Sequence, residues 1–95
     1  MDLRKLDRRI AEWVGDEGIN PKPYSSSLDL LVPVVERWQV GKDCSINMGR
    51  ELWTSEWSAH IEFYTEGKWQ FQLGDTAAEA LALAFVAVLD KEGGE

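Results

Sequence analysis

The stretch that decides the fold is Trp57–Leu73, which reads WSAHIEFYTEGKWQFQL. Apolar and polar residues alternate along both of its halves, and this pattern is typical of strands that bury one face of a sheet. Thr65, Glu66 and Gly67 lie between the two halves and predict the turn of a β-hairpin. The apolar positions are Trp57, Ala59, Ile61 and Phe63 on the first arm, and Trp69, Phe71 and Leu73 on the second.

The length of the turn sets which side chains share a face. A three-residue loop at 65–67 puts Gly67 in the left-handed conformation that such loops need, and it pairs Phe63 with Trp69. A two-residue turn at Glu66-Gly67 would set Tyr64 against Trp69 and mix the two faces. We therefore expect the apolar side chains of both arms to face the core together. The opposite, polar face is then the first place to look for function, and it comprises Ser58, His60, Glu62, Tyr64, Lys68, Gln70 and Gln72.

Two helices are expected before the hairpin. Apolar residues recur at helical spacing from Asp2 to Val14, and Gly15 follows at a position where helices commonly end. A second helix is predicted over roughly Asp29–Trp38. Pro33 is tolerated only in the first turn of a helix, so this segment either starts late or bends there.

The last helix has the clearest start signal. Thr76-Ala77-Ala78-Glu79 is a capping box, in which the threonine hydroxyl accepts a hydrogen bond from the amide three residues on and the glutamate reaches back. The helix that follows is apolar on almost every side, which predicts that neighbouring elements cover it on more than one side. Residues 91–95 are expected to form a frayed, charged tail.

These elements predict one α+β domain over residues 1–95, in the order α-α-β-β-β-α. Cys44, Ile46 and Met48 alternate with polar residues and indicate an edge strand, which brings the antiparallel sheet to about three strands. The three helices would pack on the apolar face of this sheet. A chain of 95 residues can bury one such core without a disulfide or a metal.

The balance of charge excludes some classes of partner. The net charge of −7 argues against tight binding to long nucleic acid or to an anionic membrane. Cys44 is the only cysteine, so no internal disulfide can form, and this fits a reducing cytoplasm. One basic cluster stands out on the first helix and either pairs with the protein's own acids or forms a local anion site: Arg4, Lys5, Arg8 and Arg9.

The sequence carries no constellation that is typical of an enzyme. Cys44 and His60 are the only cysteine and the only histidine, and they lie on different predicted strands without a nucleophile motif. The spacings of a P-loop, a dinucleotide-binding loop and a metal-ligand cluster are also missing. We therefore expect no catalytic residue, no cofactor and no metal.

Two groups of residues have the chemistry to bind a nucleotide-type ligand. The run Tyr24-Ser25-Ser26-Ser27 opens a helix, where it serves either as a cap or as a seat for phosphate, with Arg50 adding positive charge. Exposed aromatic rings can stack on a base or anchor a protein interface. Trp13, Trp38 and Trp69 lie on apolar stripes and are expected in the core, whereas Trp53 has no evident place there. The candidate ligand-binding residues are Tyr24, Ser25, Ser26, Arg50, Trp53, His60 and Tyr64.

Three ordered blocks resemble the phage ABA-sandwich domain, a small family from phages and prophages. They are Ile10–Gly15, Pro23–Asp29 with Val34–Glu36 after it, and Asp75–Ala77 behind the aromatic hairpin. The chain departs from the family pattern at Ser27, where Asp is usual, and at Pro33, which interrupts the second helix. The resemblance implies a phage gene product with helices around a β-sheet, and it brings no settled catalytic residues. It also implies an accessory factor, since small phage proteins of this kind often have such a role, and some bind host proteins or sequester nucleotide signals used in antiviral defence.

Two functions follow as expectations. The first is a non-enzymatic phage accessory binding protein, in its sharpest form an anti-defence sponge that sequesters a nucleotide-type signal. The second is a protein-interaction module that docks a host or phage protein through its polar sheet face, or binds another copy of itself as a homo-oligomer. An enzyme is the third and least favoured function.

Overall fold

The part of the chain that the structure describes contains three α-helices and one three-stranded sheet, in the predicted α+β order α-α-β-β-β-α. The computed structural model describes residues 3–16, 20–50, 55–64 and 67–93. The helices are α1 (Leu3–Val14), α2 (Leu28–Gln39) and α3 (Ala77–Gly93), with a short 3-10 turn at Tyr24–Ser26. The strands are β1 (Cys44–Arg50), β2 (Trp57–Phe63) and β3 (Lys68–Gly74), and they form an antiparallel sheet in the order β1-β2-β3.

Local signals place the ends of two helices where the sequence predicts them. Gly15 adopts the left-handed conformation, with φ of 91°. The amides of Gly15 and Asp16 both donate to the Ala11 carbonyl at 2.9 Å and close the end of α1. At the start of α3, the Glu79 amide donates to the Thr76 hydroxyl at 3.1 Å. The Glu79 carboxylate accepts a hydrogen bond from the Asp75 amide at 3.1 Å, so the predicted capping box is confirmed.

Two helix boundaries differ from the predicted ones. α2 begins at Leu28, one residue before the predicted start, and continues through Pro33, so of the two predicted alternatives the late start is wrong. Pro33 is exposed, and its ring lacks the amide that would otherwise bond to the Asp29 carbonyl. α3 continues to Gly93, which is beyond the predicted start of the tail at residue 91. Asp2, the predicted start of the first helix, lies outside the described residues.

The core is built around α3, which packs on β2 and β3 on one side and on α1, α2 and the 3-10 turn on the other. Phe85 is fully buried at its centre. The rings of Trp13 and Trp38 meet its edge or face, with centroids 5.8 and 5.6 Å away. The small side chains of Ala80, Ala82 and Ala84 are fully buried and let neighbouring elements approach closely. The all-round apolar character of this helix therefore reflects cover on several sides, as predicted.

The register of the hairpin differs from the predicted one by a single residue. Phe63 pairs with Lys68, and Trp69 pairs with Glu62 rather than with Phe63. The loop therefore has four residues, 64–67, and the Gly67 amide closes it by donating to the Phe63 carbonyl at 3.0 Å. Because side chains alternate along a strand, a slip of one residue reverses the whole of β3. The expectation that both arms bury their apolar residues together is wrong, and Lys68, Gln70 and Gln72 lie on the helix-facing side.

The physical reason for this register lies at the end of β3. Gly74 is buried where the strand meets the first turn of α3. A Cβ atom at this position would lie 2.7 Å from the Ala80 nitrogen and 3.1 Å from its Cα, so only glycine fits without displacing the helix. Since Gly74 faces α3, alternation turns Leu73, Phe71 and Trp69 to the opposite side of the sheet.

Candidate functional site: the outer face of the sheet

The side of the sheet that faces away from the helices is defined here as the outer face. Along β2, the residues of the outer face alternate with Ala59 and Ile61, which are fully buried on the helix-facing side. The strand pairing brings three residues of each strand onto this face. They are Ser45, Asn47 and Gly49 of β1, Ser58, His60 and Glu62 of β2, and Trp69, Phe71 and Leu73 of β3.

An apolar stripe runs along β3 on the outer face. Trp69 is 61% exposed, Phe71 44% and Leu73 39%. The prediction that Trp69 belongs to the core is therefore wrong, and its ring is among the most exposed large apolar groups of the described residues. Three large apolar side chains at consecutive outward positions of one strand form a contiguous patch, and exposed patches of this kind mark binding surfaces.

His60 lies at the centre of the outer face, where it pairs with Asn47 on one side and Phe71 on the other. Its ring meets Trp69 at a centroid distance of 5.7 Å and an interplanar angle of 89°. A second edge contact, at 6.5 Å, joins it to Phe71. Its Nε2 atom is buried and has no hydrogen-bond partner among the described residues. His60 therefore contacts both aromatic rings, and these contacts leave its buried Nε2 atom without a hydrogen bond in the described part of the chain.

The outer face is also poor in charge. Glu62 is the only charged residue among its nine, whereas 28% of the residues in the whole chain are charged. Ser45, Asn47 and Ser58 supply neutral hydrogen-bonding groups beside the apolar stripe, and the Ser58 hydroxyl donates to the Gly49 carbonyl at 3.3 Å. A surface with exposed aromatic groups and few charges has the composition of an interface centre rather than that of a solvated face.

The predicted phosphate seat at Tyr24–Ser26 is filled by the protein itself. The Ser25 amide donates to the Asp7 carboxylate at 2.7 Å, and the Ser25 hydroxyl donates to the Leu3 carbonyl at 3.4 Å. Ser25 and Asp7 are both buried, whereas Ser26 is exposed. The turn therefore does bind an anionic group, as its backbone amides predict, but that group is the Asp7 carboxylate of α1. Ser27 is the N-cap residue of α2, and its side chain makes no capping hydrogen bond.

Tyr24 is part of the same buried arrangement. It is 3% exposed, which is more consistent with packing than with a ligand contact. Burial raises the pKa of its hydroxyl, and the negative charges of Asp16 and Asp7 raise this pKa further. The phenol is therefore held neutral in the helical layer.

Replacing Asp7 tests whether this carboxylate holds the turn in place. Asp7→Ala leaves the Ser25 amide buried without an acceptor, so we expect the free energy of unfolding to fall by about 2 kcal/mol. Asp7→Asn retains a carbonyl oxygen at the same place and should cost less than half as much. Urea denaturation of the three proteins gives the comparison. Equal losses for both variants would show that the carboxylate charge, rather than the hydrogen bond to Ser25, stabilises the fold.

The other predicted site residues that the structure describes lie on different elements. His60 lies on the outer face, whereas the turn at Tyr24–Ser26 packs against α1, α2 and α3 on the other side of the sheet. Arg50 is exposed at the end of β1, and Tyr64 is exposed just after β2. Trp53 lies outside the described residues. The sheet thus separates His60 from the serine turn, so these residues do not line one pocket together.

Two further expectations can be placed in the structure. Cys44 is buried on the helix-facing side of β1, whereas His60 points to the outer face, so these two residues form no catalytic pair. Within the basic cluster of α1, Arg9 pairs with Asp90 of α3 at 2.8 Å. This ion pair is partly exposed and contributes little to stability. Arg9 thus pairs with one of the protein's own acids, which is one of the roles predicted for the basic cluster.

Membrane-spanning helices and clusters of metal-binding side chains are both absent from the described ranges. In residues 3–16, 20–50, 55–64 and 67–93, none of the helices has the length and hydrophobicity required to cross a bilayer. No group of three His, Cys, Asp or Glu side chains in the same ranges is arranged to hold a metal ion.

The fold is similar to that of a phage protein from Bacillus cereus ATCC 14579, whose crystal structure has been determined at 2.0 Å. The TM-score is 0.67 at 16% sequence identity, and the match covers 92% of this chain and 91% of that chain. No protein-family model matches the chain, and no curated protein does. The likeness shows that the fold is one found in a phage protein, while membership of the phage ABA-sandwich family stays a prediction.

Proposed function

We propose that this chain is a non-enzymatic phage accessory protein that binds a partner protein through the outer face of its sheet. The observation that carries the proposal is the apolar stripe of Trp69, Phe71 and Leu73 on a face with a single charged residue. Exposing these groups to water is unfavourable, and covering them with a complementary surface is the main source of affinity at protein interfaces.

The arrangement of the outer face supports a protein partner more strongly than a small ligand. Trp69 is held against His60 in an edge-on contact, so it is pre-oriented and loses little side-chain freedom on binding. The neutral groups of Asn47 and Ser45 lie on the neighbouring strand, where they can form the polar border of a contact. A strand presents these side chains in a shallow row, which suits a broad surface.

The charge of the chain indicates the chemistry of that partner. The net charge is −7, and the one charged residue on the outer face is Glu62. A partner whose binding surface has an apolar centre and a basic border would be attracted to the acidic chain. Its basic groups would not be repelled by Glu62 at the contact. The proposed partner is therefore a host or phage protein whose surface is basic and can bind the aromatic side chains of the stripe. We propose that the two proteins meet in the host cytoplasm.

Substitution of Trp69 tests this proposal. Trp69→Ala removes the largest exposed ring of the stripe, and we expect it to weaken partner binding about 30-fold, as loss of an aromatic hot spot does. Tyr64→Ala is the matched control, because Tyr64 is a comparably exposed aromatic residue, 59% exposed, that lies off the three strands. Tagged wild-type protein and both variants are used as baits in host lysate. The affinity of each captured protein for the three baits is then measured by isothermal titration calorimetry.

The expected pattern is a protein that is retained by the wild type and by Tyr64→Ala and that is lost by Trp69→Ala. Its affinity should fall as ionic strength rises, since part of the attraction is electrostatic. If no protein is retained by the wild type above the level of Trp69→Ala, the proposal is wrong. A captured protein that binds both variants equally well would also contradict it.

A second candidate is the anti-defence sponge for a nucleotide-type signal. The observation that favours it is the pair of exposed rings of Trp69 and Phe71, both in edge contact with His60, because exposed aromatic rings can stack on a base. Thermal-shift measurements against cyclic dinucleotides and ADP-ribose derivatives test it. Saturable stabilisation that Trp69→Ala abolishes would establish the sponge in place of the protein-binding function. A flat panel would exclude it.

A further inference from the structure

We propose that two copies of the chain associate through the free edges of their β3 strands, which would join the two sheets into one antiparallel sheet of six strands. This inference goes beyond the proposed function, because it concerns the edge of the sheet and requires no partner protein. The outer faces of both copies would still point away from the helices, so the dimer would widen the binding surface without covering it.

The first observation is an unguarded strand edge. Among the described residues, β3 pairs only with β2, which leaves the other edge of this seven-residue strand without a strand partner. Proteins usually protect an exposed edge with charged side chains, proline or a bulge. In β3, Lys68 is the only charged residue and lies at the start of the strand, and Trp69–Gly74 contains neither charge nor proline. Such an edge is suited to pairing with another strand.

The second observation is that the sequence of β3 is complementary to itself. Antiparallel pairing about a two-fold axis at Phe71 sets Phe71 opposite the second copy's Phe71. Trp69 then lies opposite the second copy's Leu73, and Gln70 opposite the second copy's Gln72. The apolar pairs all fall on the outer face and the amide pairs on the other face. Cross-strand pairs of aromatic and aliphatic side chains stabilise a sheet, and a two-fold interface requires this kind of self-complementarity.

Charge supports the same register. With the axis at Phe71, Lys68 lies opposite the second copy's Gly74, so the one charged residue of β3 faces no other charge across the axis. Both chains are acidic overall, with a net charge of −7, but no acidic residue lies within β3 itself. The paired strands would thus meet without like charges facing each other.

The third observation concerns α3, which packs on both β3 and β2. Its residue Ala80 lies against Gly74 at the end of β3. Leu83 and Ala87 follow three and seven residues later, so they lie along the same side of the helix as Ala80. Both are apolar and only partly buried. The helix layer therefore offers apolar surface that a second copy could cover.

The spacing of the two layers is compatible with this dimer. Neighbouring strands lie about 4.8 Å apart, and α3 packs on both β2 and β3. A helix above the midpoint of these strands would lie about 10 Å from its copy across the axis, which is close to the 8–10 Å of packed helices. Small residues such as Ala87 would allow that approach. The interface would contain a strand pair and a helix pair, as a stable dimer requires more than a strand pair alone.

The mass in solution tests the proposal. Sedimentation equilibrium of the full chain should give twice the chain mass of 10.8 kDa. Phe71→Glu places two carboxylates together at the axis, and Leu83→Glu does the same between the helices, so each should halve the measured mass. Asn47→Glu is the control: it adds the same charge to the outer face on β1, at the opposite edge of the sheet from β3, and should leave the dimer intact.

Disulfide trapping tests the register. In a Cys44→Ala background, Phe71→Cys places two thiols opposite each other across the axis, within the range that a disulfide spans. Oxidation should convert it to a covalent dimer, while Asn47→Cys on the same face should stay monomeric. A wild-type chain that is monomeric at the highest soluble concentration would overturn the inference. So would a dimer that both glutamate variants leave unchanged.

These outcomes are separable from those of the proposed function. Leu83 lies on α3 and not on the outer face, so Leu83→Glu should abolish the dimer while Trp69 remains available to a partner protein. Partner capture by monomeric Leu83→Glu would support the proposed function alone. Loss of capture with Trp69→Ala in a chain that is still dimeric would assign the binding role to Trp69 rather than to dimerisation.

Discussion

Phe85→Ala should lower the free energy of unfolding by about 3–5 kcal/mol, which is the largest effect we expect from any single truncation in this chain. Phe85 is fully buried in α3, and its ring meets both Trp13 and Trp38. The neighbouring elements already pack closely through alanines, so they cannot collapse into the cavity that the missing ring would leave. Chemical denaturation of wild type and variant gives the difference directly.

Trp69→Ala is the matched control, because it deletes an even larger aromatic side chain from the outer face. Trp69 is 61% exposed, so its removal should cost less than about 1 kcal/mol. The contrast between the two truncations is informative, since both residues lie on apolar stripes of the sequence. A loss of several kcal/mol for Trp69→Ala would mean that this ring is buried, and the assignment of the outer face would then be wrong.

Gly74→Ala should destabilise the protein by about 2–3 kcal/mol, because its Cβ atom would overlap the backbone of α3. The Cβ would lie 2.7 Å from the Ala80 nitrogen, and a backbone atom cannot move aside as the end of a flexible side chain can. The first turn of α3 or the end of β3 must therefore shift. Thermal or urea unfolding measures the loss.

Gly49→Ala provides the control for this substitution. Gly49 is also a strand glycine, but a Cβ there would meet only the Ser58 hydroxyl, at an ordinary distance of 3.6 Å. We expect a change within about 0.5 kcal/mol at Gly49. Equal effects at the two glycines would show that Gly74 is not held against α3, and the physical reason given for the register of β3 would fail.

The sequence predicted the elements well wherever a local signal determines them. The capping box at Thr76–Glu79 and the left-handed Gly15 depend on residues a few positions apart, and both lie where they were expected. The alternation of Cys44, Ile46 and Met48 likewise predicted the edge strand β1. α2 was also placed to within one residue at each end, and only the expected effect of Pro33 was overstated, because tertiary packing supports a helix that continues through this exposed proline.

The register of the hairpin could not be obtained from the same kind of signal. Gly67 is left-handed in the observed four-residue loop, with φ of 65°, as it would be in a three-residue loop, so the turn residue fits both lengths. Alternation fixes which residues of a strand share a face but not which face is buried. The decision depends on Gly74 and Ala80, which meet only after α3 has packed on the sheet.

The candidate site was predicted in part. His60 was correctly placed on the face opposite the core, but its aromatic neighbours Trp69 and Phe71 were assigned to the other side with the register. Asp7 was overlooked, although it lies between Leu6 and Ile10 on the apolar side of α1. A carboxylate at such a position signals a buried partner, and that partner proved to be the Ser25 amide.

The most direct test of the central claim is the set of nuclear Overhauser contacts between β2 and β3 in solution. Our account predicts cross-strand contacts that pair Glu62 with Trp69 and His60 with Phe71, with both aromatic side chains on the face away from α3. Contacts that pair Phe63 with Trp69 and Ile61 with Phe71 would contradict it. In that case the apolar stripe would belong to the core, and the outer face would have no binding surface of the kind described.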